Sequence, residues 1–293
     1  MSRLDLAARA SELRAKRVPF VLATVLRAEA PTSAKPGDSA VVLADGSIEG
    51  FVGGSCAQAT VRAESLRSLA ERRPRMVLIA PDAEAAPAAE GVVRVSNPCL
   101  SGGTLEMFLE PTLPAPLVRV YGESPIALAL RQGAAALGFD AVQGDPAEPI
   151  AEETAAVVVA THGFDEEAVI SEALRAGVAY IGLVASRKRA EGVLGAMDLG
   201  DAERSRVHSP AGLDIGAGSP GEIAVSILAE IISLRPRGEV PPAPEVAIDP
   251  VCHMEVAAVE SSLHSEFEGR SYYFCARGCL KAFSADPTAY LGG

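Results

Sequence analysis

The sequence contains no tryptophan, and aromatic residues make up only 4% of its 293 positions. Its cores must therefore be built from Ala, Val, Leu and Ile. At 48% apolar residues there is enough material to bury more than one core. Basic charge is scarce: 26 Lys and Arg stand against 38 Asp and Glu, for a net charge of -12. The basic clusters, Arg72, Arg73 and Arg75 and then Arg187, Lys188 and Arg189, are short. Phosphate neutralisation dominates affinity for nucleic acid, so this balance argues against nucleic acid as a partner. No apolar run approaches the roughly 18 residues of a membrane span. The first twenty residues form an interrupted, charged helical pattern without the apolar centre of a signal peptide. A cytoplasmic protein is expected. There are five cysteines. An odd count in a reducing compartment points to thiols or metal ligands rather than a disulfide frame.

The length allows two to three domains. Residues 1–112 read as the first. Leu4 to Arg17 is patterned as an amphipathic helix, and strands are expected at Phe20–Leu26, Ser39–Leu43, Ser47–Val52, Met76–Ala80 and Thr104–Leu109. A helix opens at Gly53-Gly54-Ser55 and runs to about Arg73, and Pro81 to Glu90 reads as a mobile loop. Pro111 to Pro116 is a stiff linker. Residues 117–235 then alternate strand and helix: strands at Leu117–Tyr121, Ala141–Gln143, Ala155–Ala160 and Ala179–Val184, and helices after Ser124, at Asp165–Arg175 and from Ser219 through Leu234. Ser124 with Pro125 is an N-cap signal and Ser219 with Glu222 a capping box. This alternation predicts a Rossmann-like, doubly wound parallel sheet, and so an α/β protein overall. Residues 236–247 are a Pro-rich linker to a short block, 248–293, that holds three of the five cysteines.

Five constellations carry chemistry. Gly53-Gly54-Ser55-Cys56 lies at a strand-to-helix junction, where backbone N–H groups attract anions and the helix dipole favours a thiolate. The plainer alternative is a tight turn with a buried small cysteine. Cys99-Leu-Ser101-Gly102-Gly103 repeats the theme of a thiol beside a diglycine. If both loops serve one small-molecule pocket, the two thiols lie within about 10 Å. Tyr121-Gly122-Glu-Ser-Pro occupies the place of a nucleotide-binding turn but lacks the G-x-G-x-x-G pattern. His162, Ser186 and Arg187 follow strands, where ligands of open α/β sheets bind. Arg187 suits a phosphate, and His162 suits a ligand contact, a proton carrier or a backbone hydrogen bond. Last, 22 residues separate Cys252 from Cys275 and three separate Cys275 from Cys279. That spacing suggests a soft-metal site for Zn or Cu, with His253, His264 or solvent as the fourth ligand. The alternative is three reduced thiols packed under Tyr272, Tyr273 and Phe274.

These motifs resemble a known family. ATVLRAEAPTSAKPGDSAVVLADGSIEGFVGGSCAQA and CLSGGTLEMFLEP resemble the N-terminal domain of the XdhC/CoxI/CoxF maturation factors for molybdenum hydroxylases. VVVATHG, YIGLVASRKR and SPAGLDIGAGSPGEIAVSILAEI resemble the family's Rossmann-like domain, and DPVCHMEV with GRSYYFCARGCLKAF resembles a YHS domain. The wording is nearest the CoxF-like branch associated with aerobic carbon monoxide dehydrogenase.

The resemblance implies an accessory factor that binds molybdenum cofactor (molybdopterin, alone or as its dinucleotide), assists its sulfuration and inserts it into an apo molybdenum hydroxylase. It implies a sulfur-donating protein as a second partner and a homodimer. Gly53, Gly54, Ser55, Cys56, Cys99, Ser101, Gly102, Gly103, Gly122, His162, Ser186 and Arg187 are the expected cofactor contacts, with Cys252, Cys275 and Cys279 the metal ligands. Three departures stand out. Ser55 separates the diglycine from Cys56, Glu123-Ser124-Pro125 replaces a Gly-His turn after Gly122, and His253 replaces the usual glycine after Cys252. A nucleotide-dependent oxidoreductase and a Cu- or Zn-handling protein are the alternatives.

Overall fold

Phe20 to Val25 alternates its side chains between two apolar surroundings, and the first sheet grows from that alternation. The computed structural model describes residues 3–81, 91–97, 103–234 and 245–291. Two compact units result: Met1–Pro114 together with Glu239–Gly293, and Ala115–Gly238. The first unit begins with helix α1 (Arg3–Ala15), strands β1 (Phe20–Glu29), β2 (Ser39–Leu43) and β3 (Ile48–Gly50), and helix α2 (Ser55–Glu71). Strands β4 (Arg75–Ala80), β5 (Val92–Ser96) and β6 (Thr104–Thr112) follow. The sheet order is β3-β2-β1-β6-β4-β5, antiparallel except for the parallel pair β4–β5. Val21, Ala23 and Val25 face Ala57 and Val61 of α2 with Ile79 and Met107. Phe20 points the other way, into Leu6, Ala10 and Leu13 of α1.

In the second unit, β7 (Leu117–Tyr121), α3 (Pro125–Ala134), β8 (Asp140–Gln143), β9 (Thr154–Val159) and α4 (Glu166–Arg175) lead to β10 (Tyr180–Leu183). Helices α5 (Arg187–Ala196) and α6 (Asp201–Arg204), strand β11 (Val207–His208) and α7 (Pro220–Leu234) complete it. The sheet order is β11-β10-β9-β7-β8, and every pairing is parallel. Val118, Val120, Ala156 and Val158 pack under α3 and α7, while Val157 and Val159 pack under α4. This is the expected doubly wound arrangement. Both expected caps form. Ser124 Oγ accepts from Ala127 N at 3.2 Å. Ser219 Oγ accepts from Glu222 N at 3.3 Å while Glu222 Oε2 accepts from Ser219 N at 2.8 Å.

The chain then returns to the first unit with β12 (Val246–Ile248), β13 (Glu255–Ala257), β14 (Leu263–Phe267), β15 (Arg270–Phe274), α8 (Arg277–Ala285) and α9 (Thr288–Leu291). Much of the scarce aromatic content is concentrated here. Phe283, 1% exposed, collects Phe267, Tyr272, Phe274 and Tyr290 around its ring. The module sits on α2, where Ala59 meets Met254 and Val256, and Ala63 and Leu66 meet Ala257. Helix α2 is therefore covered on two sides, by its own sheet and by this module, so its small residues do not form a single apolar stripe.

Several expected boundaries shift. β6 continues to Thr112, into the expected linker, because it pairs with β1 along its whole length. The expected strand Ser47–Val52 shortens to β3. β5, α5, α6 and β11 carry no strong sequence period. The expected mobile loop beyond Pro81 and the Pro-rich linker up to residue 244 lie outside the described residues. Among the described residues, no helix is long and apolar enough to cross a membrane.

Candidate functional site

Asp249 organises the thiols. Its carboxylate is fully buried. Oδ1 accepts from Val251 N at 2.9 Å and from Cys252 N at 3.4 Å, and Oδ2 accepts from Cys275 N at 2.9 Å. One side chain thus pins the turn after β12 to the end of β15. The result is Cys252 Sγ 3.4 Å from Cys275 Sγ, with Cys279 Sγ 3.8 Å from Cys275 on the first turn of α8. The three sulfurs and a carboxylate oxygen lie within 4.8 Å of one another. Three soft donors at that separation fit Zn(II) or Cu(I). Neither His253 nor His264 belongs to the group: His264 Nδ1 is 2.9 Å from Ser262 O, and His253 takes a left-handed turn with φ 63°.

The electrostatics follow from crowding several acids together. Hydrogen bonds with Cys252 and Cys56, and then burial, push the Cys275 thiol far up. Burial, with the nearby Asp249 and Cys252, pushes Cys279 up to about 12. The hydrogen bond with Cys275 lowers Cys252. Burial opposes the Asp249 charge, but backbone N–H groups of Cys275 and Val251 and the neighbouring thiols outweigh it and hold the carboxyl low. Cys252 is thus pushed down while Cys275 and Cys279 are pushed up, and holding all three thiols deprotonated together calls for a cation.

Cys56 lies beside this cluster, 3.9 Å from Cys275 Sγ. It also lines a cavity of about 300 Å³ with Gly54, Ser55, Asn97, Gly103 and Ala276. Gly54 caps α2 with no side-chain hydrogen bond to the first N–H groups of the helix, and Gly54, Ser55, Cys56 and Ala57 all line this space. Gly103 is required there, because a Cβ would stand 2.2 Å from Pro31 O. Gly53 has φ 129° and supports the turn into α2. Cys99, Ser101 and Gly102 lie outside the described residues, and so does the expected approach of Cys99 to Cys56.

In the second unit the chain order reverses between β7 and β9, the place where doubly wound sheets open a crevice. A cavity of about 560 Å³ lies there, lined by Tyr121, Gly122, Gln143, Gly144 and His162 among others. Gly122 has φ 102°, and a Cβ would come within 2.4 Å of Ala160 O. Gly122→Ala is expected to cost about 1–3 kcal/mol through backbone strain. Denaturant unfolding of the full chain checks this value. His162 also lines an adjoining cavity of about 570 Å³ with Ser186, Arg187, Arg189 and Asp214. The two arginines play different parts. Arg187 is exposed. Arg189 grips both oxygens of Glu166 at 2.9 Å and donates to Val184 O at 3.1 Å. Ser186 Oγ caps α5 through Arg189 N at 3.4 Å.

Residues 13–79 match the XdhC and CoxI family, residues 118–231 the XdhC Rossmann domain and residues 247–293 the YHS domain. The chain joins two XdhC-type domains to a YHS domain. An uncharacterized protein, YqeB, of Escherichia coli (strain K12) is 32% identical over 257 residues, covering 77% of this chain and 45% of that protein. A probable xanthine dehydrogenase subunit of Bacillus subtilis (strain 168) is 31% identical over 160 residues, 46% of this chain and 47% of that protein. The chain spans about half the length of the curated relatives it matches. A crystal structure of a xanthine dehydrogenase from Bacillus halodurans aligns with a TM-score of 0.40 at 18% identity, over 82% of this chain and 98% of that one.

Within the YHS domain, Asp249 is the functional residue that spacing alone passes over. An Asp three residues before a Cys, with a Pro between them, is a turn signal that points to it. Glu166 and Arg189 of the XdhC Rossmann domain carry no sequence signal for another reason: their partnership spans 23 residues and two helices.

Proposed function

We propose that this protein is a maturation factor that binds molybdenum cofactor, assists its sulfuration and delivers it to an apo molybdenum hydroxylase of the xanthine dehydrogenase or aerobic carbon monoxide dehydrogenase type. The observation that carries this reading is the cavity where Gly54, Ser55, Cys56 and Gly103 meet at the start of α2. The two XdhC-type domain matches support it. When bound, the cofactor supplies the molybdenum centre that the hydroxylase uses. The chain's own residues do the holding. Open backbone N–H groups at the start of α2 receive the pterin phosphate, and Cys56 places a thiol beside it. Cys99, Ser101 and Gly102 are proposed as further contacts on the strength of their sequence motif. In the Rossmann domain, Gly122, His162, Ser186 and Arg187 line cavities of their own that suit an anionic ligand. Cys252, Cys275 and Cys279 hold a Zn or Cu ion. The acidic chain docks the client hydroxylase and a sulfur-donating protein, and works as a homodimer in the cytoplasm.

The test is to purify the protein from cells that make molybdenum cofactor. The same sample is then assayed for pterin by fluorescence after oxidation, and for Mo, Cu and Zn by elemental analysis. The expected result is pterin together with Mo. In a variant with Cys275→Ser and Cys279→Ser, Zn and Cu disappear and pterin stays. Metal without pterin would sink the cofactor reading.

The crevice at the β7–β9 switch point favours a second reading, a nucleotide-dependent oxidoreductase. Absence of binding to NAD(H) and NADP(H) at millimolar concentration removes that reading.

A further inference from the structure

We propose that Cys56 is the fourth ligand of the YHS-domain metal site, making it a four-thiolate site for a tetrahedral d10 cation such as Zn(II). This rests on the reading of Cys252, Cys275 and Cys279 as metal ligands. Four thiolates about 2.3 Å from a zinc ion sit at the corners of a tetrahedron with edges of about 3.8 Å. Cys275 Sγ has three sulfur neighbours, at 3.4 Å (Cys252), 3.8 Å (Cys279) and 3.9 Å (Cys56). Those are three of the six edges of a four-thiolate tetrahedron; Cys56 meets the compact group of the other three thiols and Asp249 at Cys275, and the remaining edges close when the ion draws its sulfur in.

The competing ligands are otherwise engaged. Both carboxylate oxygens of Asp249 already accept backbone N–H groups of the Cys252 turn and of Cys275. Asp249 therefore positions the thiols rather than completing the set. His264 Nδ1 lies 2.9 Å from Ser262 O, and His253 sits in a left-handed turn at φ 63°. Cys56 packs in one apolar cluster with Cys252, Cys275 and Cys279. It is also the second residue of α2, where the helix dipole favours a thiolate.

The assignment has a functional edge. Cys56 and Ala276 both line the cavity beside α2, so the ion lies in its wall. A ligand that bonds to the Cys56 sulfur has to compete with the metal for it.

The experiment uses the full chain, reduced and stripped of metal, then loaded with Zn(II) or Co(II). Wild type should bind one ion per chain, and the metal should shield Cys56, Cys252, Cys275 and Cys279 from alkylation, mapped by mass spectrometry. Cys56→Ser should shield three thiols, weaken the sulfur-to-cobalt charge-transfer band by about a quarter and lower Zn(II) affinity roughly a hundredfold, one ligand's share of a four-thiolate affinity. Apo Cys56→Ser and apo wild type should melt alike, which separates ligand loss from misfolding. The alkylation map of the loaded wild type gives the answer even if the variant folds poorly. A loaded wild type in which Cys56 alkylates freely while the other three are shielded overturns the assignment and leaves a three-thiol site. A wild type that takes up neither ion removes the metal reading itself.

Discussion

Asp249→Ala is expected to lose about 3 kcal/mol or more of stability in the unit that carries the YHS domain, and to lose its metal uptake. The carboxylate is fully buried and accepts three backbone N–H groups. Each orphaned donor costs about 1–3 kcal/mol, and hydrogen bonds to a charged acceptor are at the strong end of the range. Alanine offers none of them an acceptor, and the Cys252 turn then has nothing to hold it against Cys275. Asn keeps one acceptor oxygen, so Asp249→Asn should fall between the two. Calorimetric unfolding with a zinc titration measures both effects. The carboxyl also sets an acid limit. Its folded value lies below the ordinary 3.8, so the stability it contributes is complete above that value and is lost as pH falls through the folded value. Wild type should therefore melt earlier below about pH 4, and Asp249→Ala should lack that step. A variant that melts and binds zinc like wild type would show that the carboxylate is dispensable.

Arg189→Ala is expected to cost roughly 3 kcal/mol, the lower end of the range for breaking a buried ion pair. Glu166 is 1% exposed, while Arg189 is 35% exposed at its side chain and so keeps part of its hydration. Removing the cation leaves the buried carboxylate with Gly163 N at 2.9 Å and Thr161 Oγ1 at 3.4 Å. The His162–Gly163 turn that lines both cavities should shift with it. Adding Glu166→Gln in the same chain should restore much of the loss, because the stranded charge is gone. Chemical denaturation of the two single variants and the double variant closes the cycle. Additive losses would mean that the pair is uncoupled.

What was legible in the sequence was local. Ser124 and Ser219 with Glu222 announced helix starts because capping is decided within four residues. The β7 and β9 runs announced a buried parallel sheet because both faces are covered. Helix α5 escaped because Gly192 and Gly195 weaken its propensity and only Ala190 is buried, so its period is faint. The three C-terminal thiols were legible from spacing, whereas the meeting of Cys56 with Cys275 was not, since 219 positions separate them and no periodicity reaches that far. The same limit hid the second cover on α2. Its buried small residues read as an ordinary helix until Met254, Val256 and Ala257 are seen resting on them.

The first unit is assembled from two stretches of chain with the whole Ala115–Gly238 unit strung between them. During synthesis the sheet and α2 emerge early, but Met254, Cys275 and Ala276 are made some two hundred residues later. Until then the outer side of α2 is bare and the cavity lacks a wall. An intervening segment that folds on its own core shortens the wandering tether, and closure entropy grows only slowly with length, so the late docking remains affordable. A ribosome paused before the codon of Val246 would therefore display a sheet with an open cavity, and the thiol pocket takes shape only once Cys252, Cys275 and Cys279 have followed.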